Sequence, residues 1–362
     1  MKSPLFCIGI SDLFVMSYKK FILVLIGVAG ILLCACAAFN YAVDPLFYYH
    51  LPWFGMKPVL VNRRYQIAGM VRNFKIENAV IGNSLAENIL QEDLELALGG
   101  KVTRLTAPGS HPLDWRLVLN QLKLQNRCPR KILFNLDPYI FTASTTHMKH
   151  PWPNYLYDTN PFNDVRYLLN FDILWDYSFG AVRKNKSGKV PTIDDVYTWN
   201  NNYGREYILR KTHRHQIING NINAEKYVQN ALDNLGLLTE FFDAMPETEF
   251  IFFCSPFSII YWDKTIRGKS LVAEVHAYSR CLEFLLRFPN VRVYFWEDEE
   301  MRRLICNLDY YRDEAHFDKR AGKFICGRIA RGEGMVTPEN MHRKLATFFD
   351  FLRSYDYEQI WK

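Results

Sequence analysis

The sequence predicts an α/β protein built as three layers, α/β/α, around a central, mostly parallel five-stranded sheet. Two observations carry this. Short apolar runs closed by turn residues recur along residues 77–296, and segments with helical spacing of apolar residues separate them. Strands that alternate with helices form a parallel sheet with helices on both faces. Composition agrees: 49% hydrophobic and 23% charged residues are the values of a globular chain, which excludes general disorder. The length of 362 residues suits one large domain or two small ones. A net charge of +6 comes without a long basic run, and no nucleic-acid motif is present. The densest basic group, Lys184, Lys186 and Lys189 around Ser187-Gly188, reads as a solvated loop, with a phosphate- or lipid-facing patch as the lesser alternative.

The first feature along the chain is an apolar run. Residues 21–39 form 19 uncharged positions, enough for a helix to cross a bilayer. Lys19 and Lys20 precede it, Lys2 lies further upstream, and neither Lys nor Arg follows until Lys57. The positive-inside rule then keeps residues 1–20 in the cytoplasm and exports the rest. Met16-Ser17-Tyr18-Lys19-Lys20 with the run behind it looks like a complete N-terminal signal. A retained single-pass anchor is expected, because the run is longer than a usual signal-peptide core. A cleaved signal peptide is the alternative, since Ala35-Cys36-Ala37 is an A-x-A-like site. The exported part holds Cys128, Cys254, Cys281, Cys306 and Cys326, an odd number with room for one disulfide. Cys254 sits in an apolar run and reads as a buried thiol.

The remaining elements follow in order. Residues 40–76, rich in aromatics and proline, read as a juxtamembrane stretch. Residues 77–82 (ENAVIG) form the first strand. Residues 85–98 form a helix, with Leu85, Ile89, Leu90, Leu94 and Leu98 at helical spacing. Residues 101–105 form the second strand, broken by Ala107-Pro108-Gly109, and 113–124 the next helix. Residues 131–136 (KILFNL) form the third strand, ended by Asp137-Pro138. The polar, aromatic, turn-rich segment 142–220 breaks the rhythm and reads as an insertion or cap. An amphipathic helix is expected over 223–245, with Asn223 as its N-cap. Strands at 249–254 and 291–296, with helices at 271–288 and 321–330, complete the domain.

Three groups of residues sit where these strands end. Ser84 follows Gly82-Asn83 after the first strand, at the sheet edge where open α/β folds place their sites. Its position at the start of a helix offers free N–H groups to an oxyanion. The plain alternative is that Asn83 or Ser84 only caps the helix. Gly109, in Thr106-Ala107-Pro108-Gly109-Ser110, lets the backbone approach a bound oxygen; an ordinary turn is the alternative. Asp313 and His316, in YYRDEAHFDKRAG, have the spacing of a general base with an orienting acid, or of a solvated loop pair. His111 lies close to Gly109, and Ser255-Pro256-Phe257 ends the fourth strand. His213 and His215 have no carboxylate cluster beside them, and no C-x-x-C pair occurs, so no metal and no cofactor is implied. Trp152, Tyr155, Tyr157, Trp175 and Trp199 in the insertion form either a sugar-stacking platform or the core of the cap.

Together these blocks resemble the SGNH (GDSL-like) hydrolase superfamily over about residues 77–136 and 249–330. Gly82-Asn83-Ser84 is similar to its Gly-Asp-Ser block, with Asn83 in place of Asp. Gly109 matches the glycine of the second block, and Asp313 with His316 matches the final Asp-x-x-His. The resemblance implies a flavodoxin-like sheet, with Ser84 as nucleophile, His316 as base and Asp313 as its orienting acid. It also implies an oxyanion hole made by the backbone N–H groups of Ser84 and Gly109. The third block, Gly-x-Asn-Asp, fits only in part. With Asp137 in register, Leu136 stands at the Asn position, and Asn135 serves as the third donor only with a one-residue shift.

Similar departures, the single anchor and Asp44-Pro45 resemble the cell-envelope branch, which includes alginate-acetylating proteins and the D-alanyl transfer protein of teichoic acid synthesis. The expectation is a serine-dependent acyl-ester hydrolase or O-acyltransferase on the outer face of a bacterial membrane. Its partners would be an envelope polysaccharide or acylated glycan and, in one reading, a membrane acyltransferase. A non-catalytic binding or assembly protein with the same fold is the alternative.

Overall fold

A computed structural model describes residues 18–199, 202–217 and 222–362. Lys2, Cys7 and Met16, most of the stretch read as cytoplasmic, and Gly220 at the end of the expected insertion lie outside them.

Five strands form one sheet: β1 (Asn78–Val80), β2 (Val102–Arg104), β3 (Lys131–Leu136), β4 (Glu249–Cys254) and β5 (Val291–Tyr294). Their order is β2-β1-β3-β4-β5, and every pairing is parallel. This is the strand order of flavodoxin-like sheets, which switch direction between the first and third strands. β3 and β4 sit at the centre and are buried on both faces, which is why they read as nearly unbroken apolar runs. Phe134 of β3 stacks on Phe252 of β4, with 4.9 Å between ring centroids. Such a pair adds about 1 kcal/mol beyond its area burial.

Helices cover both faces. α1 (Tyr18–Val43), α2 (Arg63–Asn73), α3 (Gln91–Leu98) and α4 (Pro112–Leu124) are the first four. α3 packs on Lys319–Ala330, and Ala224–Gly236 packs on Leu271–Leu285. Residues 40–76 are more than a juxtamembrane link: Leu46, Phe47, Ile67 and Val71 are buried in the main core.

Two helices expected from periodicity are broken. The expected helix at 85–98 is a single 3₁₀ turn, Ser84–Ala86, followed by α3. Glu87 and Asn88 lie between them with buried side chains that find tertiary partners. Arg63 Nε lies 3.2 Å from Glu87 Oε1, and Asn88 Nδ2 donates to Phe317 O at 2.8 Å. These bonds outweigh the local propensity to continue the helix. The expected helix at 223–245 is Ala224–Gly236 and Thr239–Ala244. Its cap is as expected: Asn223 Oδ1 accepts from the Lys226 amide at 3.1 Å. A further long helix, Met341–Ser354, packs on Leu271–Leu285, and a short helix, Glu358–Trp361, follows it; neither is among the elements expected from the sequence.

α1 is one helix long and apolar enough to cross a membrane, with a mean hydropathy of 2.8. It runs beyond the expected 21–39, because its last turn is embedded in the insertion. Asn40 Nδ2 donates to Leu168 O at 2.9 Å, and Ser178 Oγ donates to Asn40 Oδ1 at 2.7 Å. Just after α1, the buried Asp44 carboxylate accepts from the Tyr49 and His50 amides at 2.7 and 2.8 Å. It also accepts from Tyr167 Oη at 2.6 Å. The sequence leaves room for one disulfide; among the described residues Cys128, Cys254, Cys281, Cys306 and Cys326 are all free, and Cys254, Cys281 and Cys326 are buried in the core.

Candidate active site

The carboxyl ends of β1, β2 and β3 build one edge of a cleft. Gly82 ends the first strand run, and a Cβ there would lie 2.3 Å from Asn135 Oδ1. A side chain at this position would push the Asn135 carboxamide out of its place. The Ala107 amide and Ser110 Oγ both donate to Gly82 O, at 3.0 and 2.8 Å. Between them, Pro108 and Gly109 form a tight turn closed by Ser110 N to Ala107 O at 3.1 Å. Gly109 takes φ +65°, the position of a type II turn that requires glycine. The turns after β1 and β2 are thereby stitched together.

This frame presents Ser84, with Oγ 2.9 Å from His316 Nε2. His316 Nδ1 lies 2.8 Å from Asp313 Oδ2. The loop that carries both residues is held by its own acid: Asp313 Oδ1 accepts from the His316 amide at 2.7 Å and from the Ala315 amide at 3.0 Å. Burial raises the Asp313 pKa. The hydrogen bond and charge of His316, with the two amides, outweigh it and hold the carboxyl below its ordinary value. An ionised Asp313 fixes the tautomer with the proton on Nδ1 and leaves Nε2 free to accept from Ser84 Oγ. Residues 232 positions apart thus form a serine–histidine–aspartate chain. Among the described residues, the amides of Ser84 and Gly109 donate to no protein acceptor, so both are available to a bound oxygen.

Asn135 is placed differently from the expectation. Its side chain is fully buried against Asn83, and Nδ2 donates to Asp137 Oδ2 at 2.6 Å and to Asn83 Oδ1 at 3.1 Å. Its Oδ1 accepts the Asn83 amide at 3.1 Å. Both of its donor hydrogens are used inside the protein, so it is a strut under the loop and not a third oxyanion donor. Asn83 closes the same network, donating from Nδ2 to Asp137 Oδ2 at 2.7 Å. Burial pushes Asp137 up to about 6, against the opposing bonds from Asn83, the Tyr139 amide and Asn135. A strand end carrying Asn and Asp next to a Gly-Asn-Ser turn was the available signal; that they bond to each other was not readable.

The cleft has a volume of about 330 Å³. Ser84, Gly109, Tyr139, Lys149, Trp199 and His316 line it. His111 and His150 line it too. Burial, then His147 and Lys149, push His111 down to about 4, so it is neutral at neutral pH. Trp199, one of the insertion aromatics, lies against His316; Trp152 and Tyr157 pack in the core, and Trp175 is exposed. Ser255 and Phe257 line a separate apolar cavity of about 20 Å³. His213 and His215 are exposed, and no group of three metal-ligating side chains occurs among the described residues.

No family model matches the chain, and no curated protein matches it.

Proposed function

We propose that the protein is a serine-dependent acyl-ester enzyme of the SGNH type, anchored by residues 21–39 with its domain outside the membrane. One observation carries the reading: Ser84, His316 and Asp313 are in hydrogen-bonding sequence at the carboxyl edge of a parallel sheet, in an open cleft. Ser84 Oγ attacks the ester carbonyl while His316 Nε2 takes its proton. The oxyanion that forms accepts from the Ser84 and Gly109 amides. Its collapse breaks the ester C–O bond, and His316 returns the proton to the departing alcohol. The acyl group stays on Ser84 until water or a glycan hydroxyl attacks, with His316 again taking and returning a proton. Attack by water releases an acid; attack by a glycan hydroxyl makes a new ester. The substrate class is an acylated envelope polysaccharide or a related polymer, which suits a cleft carried close to a membrane.

The competing reading is a non-catalytic binding protein of envelope polymer assembly, or a domain that acts only with a membrane acyltransferase. The geometry of Asn135 favours it, since one lost donor costs about 10²–10³ in rate. A fluorophosphonate probe applied to the detergent-solubilised full chain decides. Labelling that disappears in both Ser84→Ala and His316→Ala supports the enzyme. A folded protein that resists the probe establishes the competing reading.

A further inference from the structure

The outer end of α1 is ringed by aromatic side chains that the cleft does not use. On α1, Phe39 lies 4.7 Å from Phe179 and Tyr41 lies 6.0 Å from Trp53, measured between ring centroids. Trp175 meets Phe179 at 5.4 Å and stacks on Phe171 at 6.3 Å. Phe171 is 70% exposed, Trp175 62% and Phe54 85%. These rings come from two segments far apart in sequence, residues 53–54 and 171–179, and both gather at α1. A monomeric surface rarely leaves such a cluster open to water.

The length of α1 says what covers it. From Tyr18 to Leu33 the large side chains of α1 are mostly exposed, and towards its end Cys36 Sγ lies 3.6 Å from Leu168 O. Lys20 to Phe39 spans about 29 Å of helix rise, close to the thickness of a bilayer's hydrocarbon core. With Lys20 at one boundary, the ring of aromatics therefore stands at the other, where Trp and Tyr are enriched. The helix Phe179–Lys186 continues from the ring and carries Arg183, Lys184 and Lys186, with Asp172 and Asp176 as the acidic residues before it. The exit from α1 is rigid, because Asp44 ties the turn at 48–50 to Tyr167.

We propose that this collar seats in the outer interface of the bilayer that α1 crosses, with the basic residues of 183–189 toward anionic headgroups. The collar and the tied exit then hold the domain at one tilt, so the cleft faces the membrane at a set angle. The proposal rests on the reading of α1 as a membrane anchor.

The test uses the full chain reconstituted in phosphatidylcholine–phosphatidylglycerol vesicles, with and without lipid brominated near the top of its acyl chains. The emission difference between the wild type and Trp175→Phe isolates Trp175, whose exposure makes the substitution safe for folding. Bromine is expected to quench that difference by about half or more, since the indole lies at its depth. A chain that resists alkaline extraction but whose Trp175 emission ignores bromine overturns the collar and leaves the anchor standing. Blue-shifted Trp175 emission that ignores bromine means a second copy covers the ring, and overturns it equally. Release of the chain by alkaline extraction overturns the anchor, and the collar with it.

Discussion

The indole of Trp199 lies against the imidazole of His316, with 4.9 Å between ring centroids. The Arg312 guanidinium lies 5.3 Å from the Trp199 ring, and the Trp199 amide donates to Asn88 Oδ1 at 2.8 Å. The insertion thus reaches back to the histidine of the cleft. Trp199→Ala is expected to lower kcat on an activated acetyl ester about 10-fold, because small displacements of a reacting group are costly. Trp199→Phe should keep most of the rate. Equal rates for wild type and Trp199→Ala, with unchanged thermal midpoints, would refute a positioning role.

Asp313→Asn keeps the shape of the loop but removes the charge that selects the tautomer. A fall in kcat of about 10²–10⁴ is expected, by analogy with triads of the same geometry. The carboxyl's pKa is depressed in the folded protein. Its contribution is therefore present above the ordinary carboxylate value and lost only as pH falls through the lower one. The wild-type pH–rate profile should show no inflection from Asp313 in the neutral range. A titration of the Ser84–His316 reaction that is identical in Asp313→Asn would count against the assignment.

Glu274 is buried and accepts from Tyr261 Oη at 2.7 Å and Ser270 Oγ at 2.9 Å. Burial pushes it up to about 7, over the lowering bonds from Tyr261 and Ser270 and the charge of Lys264; Glu314 adds to the rise. The folded state then holds a proton that the unfolded chain releases, so stability falls as pH rises from about 4.5 to 7. Glu274→Gln should remove that fall and raise the thermal midpoint at pH about 8 by a few degrees, as expected for up to about 3 kcal/mol. A variant whose midpoint tracks the wild type at every pH would show that Glu274 ionises without cost.

Asp44→Ala leaves the amides of Tyr49 and His50 and the Tyr167 hydroxyl without their shared acceptor. Each buried donor so stranded costs about 1–3 kcal/mol. The expected outcome is a lower thermal midpoint and faster limited proteolysis within residues 160–180, ahead of any cleavage in the sheet. Unchanged proteolysis would mean that the exit from α1 is held by α1's own contacts with Leu168 and Ser178.

The strands were legible because a centrally buried strand must be apolar along its length, as KILFNL and EFIFFC are. α1 was legible for a related reason: a run of uncharged residues needs no partner to declare itself. Ser84, Gly109 and the pair Asp313 and His316 could be singled out because each follows a strand, and parallel strands end on one edge. The break after Ala86 was hidden, because the bonds of Glu87 and Asn88 go to Arg63 and Phe317, which periodicity does not see.

The sequence by itself determined the alternation of strands and helices, the apolar segment and the residue types at the strand ends, since these depend on local pattern and composition. Only the tertiary structure decided that Ser84 Oγ meets His316 Nε2, that Asn135 turns inward to Asp137 and Asn83, and that Trp199 lies on His316. Those relationships depend on where remote segments meet in the packed fold, and hydrogen-bond geometry between such segments has no signature in either neighbourhood alone.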